Sequence, residues 1–120
     1  MDWWPDSLPL PKGTYAVREV PPPGGDRTTF HRGFWVVDGT VEDFVDFALR
    51  QWPKQGWVLG VGEQEPGEAE DTFLKGEFSG SFRVRAKYCD ETKSELFLVY
   101  GSSAPNAPTV PDPTTTAPAP

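Results

Sequence analysis

Residues 37–62 read VDGTVEDFVDFALRQWPKQGWVLGVG, and the fold turns on how this stretch is parsed. Thr40 can N-cap a helix, with Glu42 and Asp43 in the electropositive first turn. Val41, Phe44, Phe47 and Ala48 recur at helical spacing, while Asp43, Asp46 and Arg50 fall on the other side. Pro53 and Gly56 stop the helix near Trp52. From Trp57 to Gly62 the pattern returns to period two. The stretch therefore predicts an amphipathic rod between two strands.

The flanks extend this reading. Residues 29–39 (TFHRGFWVVDG) are rich in aromatic and β-branched side chains and end on Asp-Gly, which predicts a strand. Residues 14–20 (TYAVREV) alternate weakly and predict another, with PPPGGD as the loop between them. On the C-terminal side, residues 63–71 (EQEPGEAED) read as an acidic turn or loop, and 72–78 as a strand. Residues 81–89 alternate most cleanly: Phe82, Val84, Ala86 and Tyr88 point one way, Arg83, Arg85 and Lys87 the other. DETK reads as a turn, and 94–101 as a last strand, apolar on both faces and so covered on both. The order β-β-α-β-β-β predicts an α+β fold, with one helix laid across a mostly antiparallel sheet of four to five strands.

A length of 120 residues allows one domain. Its expected limits are 13–101. Residues 1–12 form an extended arm, because Pro5, Pro9 and Pro11 forbid a regular helix. Trp3 and Trp4 are costly to leave in water, so the arm is expected to dock. Residues 102–120 hold six Pro, four Thr and one charge and predict a disordered tail or spacer. No run reaches the 18 or more apolar residues that span a bilayer. The start MDWWPDSLPLPKG lacks a basic head and an apolar h-region, which leaves two expectations: a cytoplasmic chain, or an exported one whose signal is absent.

The chain is acidic, with net charge −7 and pI about 4.6. Nucleic-acid binders carry the opposite balance, because phosphate contacts dominate their affinity, so no nucleic-acid partner is expected. One cysteine, Cys89, excludes an intramolecular disulfide and Cys-rich zinc sites.

The succession LPLPKGTY, a strand, then GTVEDFVDFALRQWPKQGW resembles small uncharacterised exported bacterial domains that show "LPLYPGA", a strand, "SLEEVVAFYRAELPAKGW" and three further strands. The resemblance covers most of residues 8–100. It is carried by the apolar helix positions, the proline after the helix, and Gly56-Trp57. Ala48 stands where that pattern has tyrosine. The resemblance implies the helix-on-sheet fold and export, and it implies no activity.

Few residues suggest chemistry. His31 is the only histidine, so no second one shares a metal with it; it reads as a strand residue. A Cys89–His31 nucleophile pair competes with a structural thiol. GEFSGSF does not fit a nucleophile elbow, and there is no phosphate-binding loop. The five carboxylates Glu63, Glu65, Glu68, Glu70 and Asp71 lack calcium-loop spacing and read as a solvated loop. No cofactor, metal or catalytic residue is expected. Arg83, Arg85 and Lys87, with Arg32 on a neighbouring strand, would form a positive stripe on an acidic protein.

Phe34 and Trp35 point to opposite faces of their strand, and one helix covers only one. The other face needs the arm, a second copy of the chain, or a ligand to cover it. The leading expectation is therefore a non-enzymatic binding module. Its docking face would lie opposite the helix, carry Trp35, Arg32, Arg83, Arg85 and Lys87, and take a protein or anionic partner. An alternative is a carrier of small apolar ligands with a pocket lined by Phe44, Phe47, Trp52 and Trp57; a small hydrolase is a third.

Overall fold

A computed structural model describes residues 1–21 and 30–102 of the chain. Residues 22–29, which include most of the expected PPPGGD loop, and residues 103–120, the expected disordered tail, lie outside the described residues. Thr40 caps the helix as its sequence demands. Its Oγ1 accepts from the Asp43 N–H at 3.1 Å, and the Asp43 carboxylate accepts from the Thr40 N–H at 3.0 Å. This reciprocal pair satisfies two donors that the first turn cannot use. Helix α1 spans Val41–Gln51 and buries Val41, Phe44 and Ala48. A short 3-10 turn, Pro53–Gln55, follows and ends on Gly56 in the left-handed region.

The strands are β1 (Tyr15–Val20), β2 (Phe30–Asp38), β3 (Val58–Leu59), β4 (Glu63–Glu65), β5 (Glu68–Lys75), β6 (Phe78–Lys87) and β7 (Asp90–Ser102). They form one seven-stranded sheet in the order β1-β2-β7-β6-β5-β3, with β4 also paired to β5. Every pairing is antiparallel. The architecture is thus mostly β with a single short helix. This corrects the expected α+β fold of four to five strands.

Two segments account for the difference. The acidic stretch expected to be a loop is instead a hairpin. Pro66 and Gly67 fill its two-residue turn between Glu65 and Glu68. Proline pre-sets the first position, and Gly67 takes the positive φ of 81° that a type II turn requires at the second. The carboxylates tolerate β5 because of what lies across from them: Glu68 faces Arg85, Glu70 faces Arg83, and Ala69 is buried against Val84. Opposite charges directly across a pair stabilise it, and strand propensity follows such neighbours. DETK likewise belongs to β7. The chain reverses one step earlier, at Tyr88-Cys89, with Cys89 at φ 68°.

The two faces of the sheet have different fates. The inner face carries Trp35, Val37, Phe73, Phe82, Val84, Leu96, Leu98 and Tyr100, all buried. Helix α1 packs on β5 and β6, with Phe44 5.1 Å from Phe82 and 6.0 Å from Trp52 between ring centroids. An eleven-residue helix is about 16 Å long, whereas six strands side by side span about 24 Å. The arm at residues 1–10 covers the remainder. Trp3 is 3% exposed and Leu8 fully buried. Trp4 lies 5.9 Å from Trp35, 6.1 Å from Trp52, 5.9 Å from Phe73 and 5.7 Å from Tyr100. The arm also satisfies core indoles: Trp52 Nε1 donates to the Pro9 carbonyl at 2.8 Å and Trp57 Nε1 to Ser7 Oγ at 3.2 Å. The arm is therefore part of the core, despite its irregular backbone.

Candidate functional site

The outer face has no covering element among the described residues. Strand register arranges its side chains in rows across the sheet. The central row runs Glu70, Arg83, Phe97, Phe34, Arg18. Phe34 and Phe97 lie with ring centroids 4.9 Å apart, and the Arg18 guanidinium sits 4.8 Å above the Phe34 ring, within cation–π range. On one side of this row lie Glu68, Arg85, Glu95, Val36 and Tyr15; on the other, Thr72, Ser81, Val99, Arg32 and Val20. Next to the aromatic pair is an open concavity of about 420 Å³ bordered by Val17, Arg18, Phe34, Val36, Arg85 and Glu95.

Arg18 reaches this face through a β-bulge. Ala16 opposes Trp35 and Arg18 opposes Phe34, so Val17 is the extra residue. Without it, strict alternation would keep Arg18 on the inner side with Ala16.

Arg83 and Arg85 on β6 face outward, as does Arg32, but Arg32 is on β2, separated from β6 by β7 rather than on a neighbouring strand, and the three do not make a free positive stripe. Arg83 stands opposite Glu70. Arg85 stands between Glu68 and Glu95, and its Nε is 3.2 Å from the Glu95 carboxylate. Lys87 pairs in register with Asp90 at the β6–β7 turn. Two hydrogen bonds from Thr92 hold the Asp90 carboxyl below its ordinary range, with smaller contributions from Lys93 and Lys87.

Trp35 requires a correction. It is 5% exposed and lies on the inner face, 5.6 Å from Trp3. Both faces of β2 are apolar, so composition did not tell which one turns inward. Register decides it, since Trp35 stands beside Leu96 in the buried row. The residues that take its place outside are Phe34 and Phe97.

The expected pocket residues are packed together. Phe44, Trp52 and Trp57 are buried, and Phe47 is half-buried. Trp52 and Trp57 each meet Phe73 edge to face, at 5.2 and 5.5 Å. His31 lies on the inner side, stacked on Trp3 at 5.3 Å, with Nδ1 3.9 Å from a Glu19 carboxylate oxygen. It pairs with Tyr100, whereas Cys89 lies at the far end of β7. Ten residues of strand, roughly 33 Å, separate the two, so they form no nucleophile pair. Among the described residues, no three metal-capable side chains converge.

Asp71 sits on the inner side of β5 where β3 and β4 part, beside a concavity of about 240 Å³ that includes Val45, Leu49, Ala69 and Phe82. Burial pushes its carboxyl above the ordinary range, opposed by backbone N–H groups of Thr72 and Gly60. The folded state therefore holds this proton more tightly than the unfolded chain. The corresponding stabilisation is present at low pH and lost as pH rises through the folded value. Asp71→Asn should match wild type near pH 3 and gain relative stability as pH rises to about 7, the window opening near the free carboxyl value of about 3.9. Thermal melts across that range check this; a variant that loses ground with rising pH contradicts it.

The chain matches no protein-family model, no curated protein and no solved structure.

Proposed function

We propose that the protein is a non-enzymatic binding module that docks a partner on the outer face of its sheet. The observation that carries this reading is the contrast between the faces. The inner one is sealed by helix and arm, while the outer one presents the Phe34–Phe97 pair under Arg18. A tilted aromatic pair at the centre of an open sheet, with arginine beside it, has the composition of an interface centre. On this reading the chain acts outside the cytoplasm, as its resemblance to exported domains implies, with the Pro/Thr-rich tail as a spacer. No helix among the described residues is long and apolar enough to cross a membrane.

A test is selection of a random peptide library on the full chain, with a Phe34→Ser/Phe97→Ser double variant as comparison. Both side chains are half-buried on the outer face, so the variant should keep the wild-type circular dichroism spectrum. Enriched peptides should bind it at least tenfold more weakly. Peptides that bind both proteins equally would rule out the outer face as the docking surface. Arg85→Glu should also weaken binding, whereas Trp35→Ala acts on the core and reports stability instead.

A further inference from the structure

We infer that the partner segment is an extended acidic peptide with two carboxylates two residues apart. The inference rests on the docking-face reading and specifies what that face takes. On this face Arg85 is paired with Glu95 and Lys93 with Asp38, each at 3.2 Å, and Arg83 stands opposite Glu70. Arg18 and Arg32 have no carboxylate opposite them in register. Among the described residues neither Arg18 nor Arg32 is in an ion pair. Arg18 lies over the Phe34 ring, and the Nε of Arg32 is buried with no hydrogen-bond partner.

These two residues are diagonal neighbours. Arg18 opposes Phe34, and Arg32 precedes Phe34 by two on the adjacent strand and opposes Val20. Diagonal neighbours on one face stand about 7–8 Å apart. In an extended peptide, side chains two residues apart on one side are separated by about 6.8 Å. Carboxylates at that spacing can therefore meet both arginines at once, each in the two-point geometry that guanidinium favours.

The distribution of charge over the sheet favours the same place for such a segment. The net charge is −7, and Glu63, Glu65, Glu68, Glu70 and Asp71 gather on β4 and β5 at the opposite end of the sheet. An acidic segment is repelled from that end and steered toward Arg18 and Arg32. A second copy of the chain would bring two such fields together, and a nucleic acid would meet the acidic surface over a longer path.

The probe is a capped heptapeptide of threonines with glutamate at its second and fourth positions. Controls carry glutamine or lysine in place of glutamate. Calorimetric or fluorescence titration into the full chain should show the acidic peptide binding at least about tenfold more tightly than the glutamine control. One charge-assisted contact is enough for that ratio. Raising the salt concentration should weaken binding, since exposed charges are screened within about 10 Å at 0.1 M. Arg18→Glu and Arg32→Glu should each remove the advantage, and Arg18→Lys should retain part of it.

Equal binding of the glutamine control, or no binding of the acidic peptide, overturns the inference. If library peptides still depend on Phe34 and Phe97 in that case, the docking face stands and only the partner chemistry falls. Concentration-dependent self-association that Arg18→Glu abolishes, without acidic-peptide binding, would make a second copy the occupant and would also overturn it.

Discussion

Trp4→Ala should lower the free energy of unfolding by about 3–5 kcal/mol, the range for truncating a large aromatic in a core. Trp4 belongs to an irregular arm, where a substitution would ordinarily be mild. Its ring, however, is surrounded by Trp3, Trp35, Trp52, Phe73 and Tyr100. Its Nε1 also donates to the Leu8 carbonyl at 2.8 Å, which closes the arm on itself. Removing residues 1–10 should cost more. It strips Trp3, Trp4, Leu8 and Leu10 from the core and leaves the Trp52 and Trp57 indoles without Pro9 and Ser7 as acceptors. A domain of this size is stable by only about 5–15 kcal/mol, so the truncated chain should bind hydrophobic dyes and lose its cooperative urea transition. A Trp4→Ala cost below about 1 kcal/mol would show that the arm is a peripheral attachment.

Gly80→Ala is the second substitution with a large expected cost. Gly80 lies in β6, and Phe73 is its partner on β5. A Cβ there would overlap the Val99 carbonyl oxygen and come within 2.6 Å of Phe73 Cζ. Neither neighbour can yield cheaply: one is backbone in the adjacent strand, the other a ring 1% exposed. Overpacking of this kind typically costs about 1–3 kcal/mol and more where the surroundings are rigid; the upper end applies here. Urea titration measures it. A double-mutant cycle with Phe73→Leu should show a total smaller than the sum of the single costs, because the shorter side chain relieves part of the overlap. Simple additivity would mean that the ring and the glycine do not meet.

The same features show which parts of the molecule were legible from residues alone. Helix α1 was, down to its cap, because capping and helical spacing are local: Thr40, Asp43, Val41, Phe44 and Ala48 act within a few turns. The alternation along β6 was legible for the same reason. Residues 63–71 were not. In isolation they are acidic and interrupted by Pro-Gly, and they become strands through Arg83, Arg85 and Val84 more than ten residues away. The second half of β7 was legible, while its start at Asp90 was hidden because the turn falls on Cys89, a residue that carries no turn signal.

The candidate site divides along the same line. Arg83 and Arg85 announce an outward basic pair through period two. Their neutralisation by Glu70, Glu68 and Glu95 depends on strands distant in sequence. Phe34 could be exchanged with Trp35 on paper, because β2 is apolar on both sides and a one-residue change of register swaps its faces. Arg18 was beyond sequence reasoning altogether, since nothing in TYAVREV marks the bulge at Val17 that turns it outward.

Local chemistry alone thus determined the rod at residues 41–51, the alternating strands around it and the need of Trp3 and Trp4 for shelter, because capping, periodicity and the cost of wet indole act over short distances. Tertiary structure decided the number of strands, the side of the sheet that Trp35 occupies and the company that each arginine keeps. Those outcomes follow from cross-strand register, and register is set by partners that the chain meets only after it has folded.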